Sequence, residues 1–193
     1  MLKVLVTGAY STGKTGLVNS IGPALQAHGL QVDILPDTAR TCPFPLNKEQ
    51  TGAASLWLIG TQISREIERS AAVPDILICD RGVPDVLAHD LEAYRSGRGS
   101  GLELLKPFLA EWTRTYDLLL LSRVDRGIPV EPDGLRVEDP EYRDLLDGLA
   151  AEVLLGVAGV LELPPGPEDR LVYAREAILA RLSKSSVRIA PET

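Results

Sequence analysis

The chain of 193 residues is poor in the side chains that staple or metallate a fold: it has two cysteines and two histidines. Cys79 lies inside the apolar run 76–79 and is expected in the core, whereas Cys42 lies in a loop flanked by proline. Two such thiols do not make a disulfide framework, and a reducing, cytoplasmic setting is expected. His28 and His89 stand far apart in sequence and do not supply the clustered imidazoles of a metal hydrolase. Basic residues are in deficit as well: 20 Lys and Arg face 27 Asp and Glu, a formal net charge of −7. That balance argues against a nucleic acid or an anionic membrane surface as the main partner. No apolar stretch reaches membrane-spanning length, and the first residues open into a strand-like run with no charged leader. Internal repeats and low-complexity blocks are absent. What remains is the composition of an ordinary globular chain with a single core.

Short apolar runs alternate with longer helical patterns, the signature of βαβ units and a parallel sheet. Strands are expected at 3–7, 31–35, 75–80, 117–122 and 160–163, and helices at 16–27, 48–71, 84–94, 102–115, 140–155 and 168–182. One domain is expected over 1–183, followed by a tail at 184–193 that lacks periodicity. The stretch 95–101 reads as a flexible loop with solvated arginines. From 123 to 139 the chain carries three Asp, two Glu, three Arg, two Gly and two Pro, with few core formers. A polar excursion of that size inside a compact domain is expected to be a lid.

The most specific segment is Gly8-Ala9-Tyr10-Ser11-Thr12-Gly13-Lys14-Thr15, which fits G-x-x-x-x-G-K-[ST] at every fixed position. A strand precedes it and an amphipathic helix follows, as a phosphate-binding loop requires. Gly8 and Gly13 let the backbone turn without a Cβ, so that the N–H groups of Ser11, Thr12, Gly13 and Gly16 can point at phosphate oxygens. The start of the following helix favours the same anion. Lys14 is expected to reach the β- and γ-phosphates, and Thr15 to offer its hydroxyl to a phosphate-bridging Mg²⁺. ATP and Mg²⁺ are therefore the expected cofactors.

In a doubly wound sheet, ligands sit at the carboxyl ends of the strands. The second expected strand ends in Asp37 and Arg40, the third in Asp80 and Arg81, and the fourth in Arg123 and Arg126. Asp80 closes an apolar strand as a Walker B carboxylate does, a place to hold Mg²⁺; capping of the next helix is its other reading. Asp37 is a candidate general base for an attacking hydroxyl, with turn capping as the alternative. Arg40 and Arg81 are candidate contacts to phosphate or acceptor, and Arg123, Arg126 and Arg136 could close over the transferring phosphoryl group. A guanine-reading N-K-x-D is missing: the Asn47-Lys48 pair lies early in the chain and lacks the Asp.

Taken together, these motifs resemble the P-loop small-molecule kinases, in particular the AAA-labelled ATPase and kinase group that includes the ribosylnicotinamide kinase domain. That group resembles deoxynucleoside kinases in layout. The likeness rests on Gly8 to Thr15, Asp37-Thr38-Ala39-Arg40, Asp80-Arg81 with Asp85, the stretch 133–143 and the stretch 164–170. It implies a three-layer α/β/α P-loop NTPase fold with a five-stranded parallel sheet in order 2-3-1-4-5 and a lid. It also implies adenine near Pro165-Gly166-Pro167, lid arginines closing on ATP, and a long second helix that offers Trp57, Gln62 and Arg65 to an acceptor. One departure is Asp37, where the group often carries Glu. Trp57 has a second reading as a core-facing residue, and Gln62 and Arg65 have one as plain exposed residues. The implied activity is transfer of the γ-phosphoryl of Mg-ATP to a hydroxyl of a small, nucleoside-like acceptor. A nucleotide-dependent regulatory ATPase acting through a protein partner, and a nucleoside-monophosphate kinase using Arg40, Arg65 and Arg81, are the alternatives.

Overall fold

The computed structural model describes residues 1–126 and 139–187. Strand β1, Leu2–Thr7, is buried at every position and forms the centre of the sheet. It lies between β3 (Ile76–Asp80) and β4 (Leu118–Leu121), which are also buried throughout. The edges are β2 (Val32–Leu35) and β5 (Val160–Glu162), giving the order β2-β3-β1-β4-β5 with every pair parallel. A parallel sheet is covered on both faces, which is why its central strands read as unbroken apolar runs rather than alternating ones.

The side chains still alternate across the sheet. Leu2, Val4, Val6, Ile76, Ile78, Leu118 and Leu120 pack against helices α1 (Lys14–Gln26) and α6 (Pro167–Val187). Leu5, Leu77, Cys79, Leu119 and Leu121 face the opposite layer, toward the end of α5 (Pro140–Val153). Helices α2 (Gly52–Ser70), α3 (Val83–Arg95) and α4 (Lys106–Thr113) complete that layer around Leu58, Ile59, Val83, Val86, Leu102 and Leu109. Each fully buried leucine, such as Leu119 or Leu120, contributes about 1.5–3 kcal/mol relative to an exposed one. This is the three-layer P-loop NTPase fold, with the expected strand order.

Several boundaries differ from the sequence expectation for identifiable reasons. The helix expected at 48–71 is a short 3₁₀ turn, Asn47–Glu49, followed by α2 from Gly52. The chain straightens at Gln50 because Gly52 lies against Gly101, where a Cβ on Gly52 would approach the Gly101 backbone to 2.9 Å. The same contact fixes the loop 95–101. Arg98 pairs with Glu92 and donates to the Gln50 carbonyl, and Gly101 N–H donates to Asp90 at 3.1 Å, so this loop is tied down rather than free. The helix expected at 102–115 begins as a 3₁₀ turn, Glu103–Leu105, and becomes α-helical at Lys106 with Pro107 in its first turn. Helix α6 continues to Val187, so 184–187 of the expected tail are helical, while 188–193 lie outside the described residues. Most of the expected lid, 127–138, also lies outside them.

Lys3 is a buried charge that the strand pattern does not reveal. Its Nζ lies 2.5 Å from Glu66, donates to Thr115 Oγ1 at 2.9 Å, and sits 4.4 Å from the centre of the Tyr116 ring. Pairing and hydrogen bonding make its burial tolerable. The network also fixes α2, and through it one wall of the site.

Candidate active site

The phosphate loop leaves β1 at Thr7 and enters α1 at Lys14. Gly8 has φ 131°, and a Cβ there would stand 2.2 Å from the Ser122 carbonyl oxygen, so only glycine fits. Gly13 caps α1 in the left-handed region at φ 81°, and Ser11 shares that region at φ 54°. These turns aim backbone N–H groups inward. Ser11 Oγ is buried without a partner. Buried polar groups are otherwise almost always paired, so this hydroxyl and the exposed start of α1 at Thr15 and Gly16 suit an anion. Lys14 folds back into the loop, donating to Gly8 O at 2.7 Å and to Ala9 O. Burial, followed by the Arg81 charge, pushes its ammonium down to about 7 against the pull of Asp85, Asp80 and Asp37.

Loop and sheet are locked together from two sides. Asp85 Oδ1 accepts from Gly8 N–H at 3.1 Å and its Oδ2 from Gly82 N–H at 2.9 Å. Burial nonetheless raises its pKa, with Arg81, Lys14 and the two amides opposing. From the other side, the Arg170 guanidinium of α6 donates to Thr12 O, to Ser122 Oγ at 3.1 Å and to Pro164 O at 2.8 Å. Arg170→Ala takes the side-chain donor from Pro164 O and leaves Thr12 O with Ser122 Oγ alone, so an unfolding free energy lower by about 1–3 kcal/mol is expected in a urea titration.

A cavity of about 370 Å³ runs from Lys14 and Thr15 to Asp37, Arg40, Arg81 and His89. Asp37 caps the 3₁₀ turn Thr38–Thr41, accepting from Ala39 N–H at 2.9 Å, while its other oxygen lies 3.0 Å from Arg81 Nε. It is thus both a cap and a member of the cavity wall. Arg81 holds φ 74°, an uncommon left-handed conformation for a residue with a side chain. Burial works against its charge, but Asp37, Asp85 and Asp80 outweigh it and raise its pKa. Arg40 is exposed at the rim. Gln62 lines the cavity but is 1% exposed and fully engaged. It accepts from Thr38 Oγ1 and donates to Glu66 and to the Arg81 carbonyl. It therefore holds the wall in place with both N–H groups committed, and only the second lone pair of its Oε1 is left for a donor.

Thr15 Oγ1 donates to Asp80 Oδ2 at 2.7 Å, and Asp80 Oδ1 is buried without a partner. An orphaned carboxylate oxygen beside a hydroxyl suits a hard divalent cation that draws its other ligands from phosphate and water. Among the described residues there is no cluster of three or more His, Cys, Asp or Glu that could hold a metal by itself. The donor set therefore fits Mg²⁺ carried by a nucleotide.

Other expected site residues stand elsewhere. Trp57 packs with the apolar cluster of Leu58, Val83 and Leu109, so its core-facing reading holds and it does not line the cavity. Arg123 pairs with Asp147 at 2.8 Å and Arg126 with Asp144 at 2.8 Å, both on α5 and away from the cavity. Arg136 lies outside the described residues. Pro165 and Gly166 form the turn into α6, tied to the back of the phosphate loop through Arg170 rather than lining the cavity. Asp85, Arg170 and His89 were not read as site residues. Asp85 is the one with a local signal, a carboxylate in the first turn of a helix beginning at the strand end.

The AAA domain family model matches residues 3–162. No curated protein matches the chain. Among solved structures, the NadR protein in complex with NR is similar at TM-score 0.69 and 20% identity, over 94% of this chain and 52% of that one. The NadR protein in complex with NAD and AMP-PNP is similar at TM-score 0.65 and 20% identity, over 100% of this chain and 51% of that one. The chain thus spans about half the length of these structures, and at this identity the likeness is one of fold. Its P-loop architecture and the match over 3–162 make the chain a member of the AAA domain family, with a nucleotide-binding phosphate loop.

Proposed function

We propose that the chain is an ATP-dependent phosphotransferase that moves the γ-phosphoryl of Mg-ATP to a hydroxyl of a small, nucleoside-like metabolite. The observation that carries this reading is the single cavity joining Lys14 to the Asp37–Arg81 pair. A switch ATPase has no need of a carboxylate-lined acceptor chamber beside its phosphate loop. Thr15 and Asp80 would hold Mg²⁺, which when bound neutralises phosphate charge. The acceptor oxygen attacks Pγ, the bond from Pγ to the bridging oxygen breaks, ADP leaves, and the hydroxyl proton passes toward Asp37. Because Arg81 already engages one Asp37 oxygen, that carboxylate serves first to orient the hydroxyl. A loose transition state asks little more of it. Lys14 leaves its loop carbonyls for the β- and γ-oxygens.

Arg126 is 84% exposed in its pair with Asp144. Exposed pairs contribute about 0–1 kcal/mol, so exchanging the carboxylate for a nucleotide phosphate costs little. Arg123, held by Asp147 and Glu162, is proposed to turn to the phosphates as well, and Arg136, outside the described residues, is kept as a candidate for the same role. The test is a panel of nucleosides, nucleoside monophosphates and ribosylnicotinamide against water, read by coupled ADP detection. Acceptor-dependent ADP release supports the reading, and release equal to that in water refutes it. With no guanine-reading motif, and with adenine resting on the Pro165-Gly166 turn by shape, ATP is expected to bind more tightly than GTP. Competition calorimetry in which GTP matches ATP contradicts that placement.

A further inference from the structure

Among the described residues of the cavity wall, two side chains carry a buried polar atom that no hydrogen bond answers, Ser11 in the phosphate loop and His89 on the opposite layer. His89 lies one turn beyond Asp85 on α3 and lines the cavity with Asp37 and Arg81. Its Nδ1 is sealed from solvent and has no hydrogen-bond partner. Behind the ring is a second chamber of about 10 Å³, lined by Gly8, Ala9, Asp85 and Leu146 among others. That is about the room one water needs. The imidazole thus forms a partition between a water-sized chamber and the large cavity.

The charged groups around the ring are already matched to one another. Arg81 pairs with Asp37 at 3.0 Å and lies 3.6 Å from Asp85. Burial, then Arg81, with Lys14 adding and Asp37 opposing, pushes the imidazole down to about 3, so the ring is neutral. A neutral imidazole has one donor and one acceptor nitrogen, and its natural partner is a group that both donates and accepts. A hydroxyl does this for either tautomer. A phosphate or carboxylate suits only the N–H nitrogen.

We propose that His89 is a specificity residue that hydrogen-bonds a second hydroxyl of a polyol acceptor, while Asp37 takes the hydroxyl to be phosphorylated and a buried water satisfies the sealed nitrogen. The inference rests on the phosphotransferase reading for the roles of the two hydroxyls, but binding of the polyol is measurable without turnover. The ring touches substrate directly and takes no proton from it.

With only two histidines, ¹⁵N-histidine labelling gives two ring spectra, and His28→Gln assigns them. The protein is saturated with Mg–AMP-PNP to fill the nucleotide site. Adenosine, cytidine, uridine and nicotinamide riboside are then added at millimolar concentration, each followed by its 2′,3′-dideoxy form. The His89 ring is expected to show a neutral tautomer at pH 6. At least one ribonucleoside is expected to shift it, and the matching dideoxy form, which lacks both ring hydroxyls, to bind at least about fivefold more weakly, since the bond to His89 is among those lost. An imidazolium at pH 6, no shift with any of the four, or equal binding of the dideoxy form overturns the proposal.

His89→Leu supplies the second readout. KM for the accepted ribonucleoside should rise about five- to tenfold with kcat within about twofold, and the thermal midpoint should stay near that of the parent, since Leu fills the volume of the ring and the sealed nitrogen bonds only a water that can leave with it. An unchanged KM, or a rise in KM accompanied by a lower midpoint, marks His89 as merely structural and overturns it. ADP release with unchanged KM in His89→Leu refutes this inference alone. Ring shifts without ADP release from any acceptor refute the kinase reading and leave hydroxyl binding by His89 standing.

Discussion

Lys14→Ala is expected to lower phosphoryl transfer by about 10²–10³-fold, the cost of removing one preorganised charge from a transferring group. Mg-ATP affinity should fall as well, because charge-assisted contacts are worth about 1.5–3 kcal/mol each. The fold should survive. Lys14 is buried and its ammonium is already pushed down to about 7, so the folded state gains little from keeping a charge there. Its hydrogen bonds go to Gly8 and Ala9 carbonyls within its own loop rather than to another element. Calorimetry with Mg-ATP and a thermal melt, run on the same preparation, separate the two effects. Parent-like ATP binding by the variant would falsify the assignment of the phosphate loop, and a collapsed melt would recast Lys14 as a folding residue.

Asp37→Asn is expected to cut transfer to the acceptor by about 10²-fold while leaving ATP affinity almost unchanged. Asp37 caps the turn after β2 and pairs with Arg81, and it is not part of the loop whose amides face phosphate. Asn keeps an oxygen for the Ala39 N–H but loses the charge that orients a hydroxyl and holds Arg81. The released Arg81 still has Asp85 within 3.6 Å, which limits the loss of stability. ADP release to water distinguishes the functional readings. A regulatory ATPase keeps its slow hydrolysis in this variant, whereas the phosphotransferase loses acceptor-dependent release specifically. If transfer stays at the parent rate, Asp37 is a capping residue and nothing more, and the proposed mechanism has lost the group that orients the acceptor.

The strands, the phosphate loop and the carboxylate beside it are legible in the residues themselves. An apolar run, a Gly-x-x-x-x-Gly-Lys-Thr turn and an amphipathic helix are local patterns, and local patterns specify local backbone. Gly8 to Thr15 therefore reads as a phosphate-binding loop from its spacing, and Asp80, which closes a buried strand, does accept from Thr15 at the loop's end. Periodicity does not encode strand order; the resemblance to P-loop kinases implies 2-3-1-4-5, and the sheet has that order.

Which polar side chains remain open to a ligand depends on packing between elements distant in the chain. Gln62 looks like a ligand contact on an open helix, yet α2 packing commits both its N–H groups, to Glu66 and the Arg81 carbonyl, and sets its Oε1 on Thr38. Trp57, on the same helix, faces the apolar cluster. Arg170 is more than 150 residues from Thr12 and nonetheless braces its carbonyl. Asp85 ties Gly8 to a helix 77 positions later. His89 is visible in sequence only as one of two scarce histidines, and its unpaired nitrogen exists because two chambers meet at its ring. Hydrogen-bond satisfaction is a property of three-dimensional neighbours, so periodicity and spacing carry no record of it.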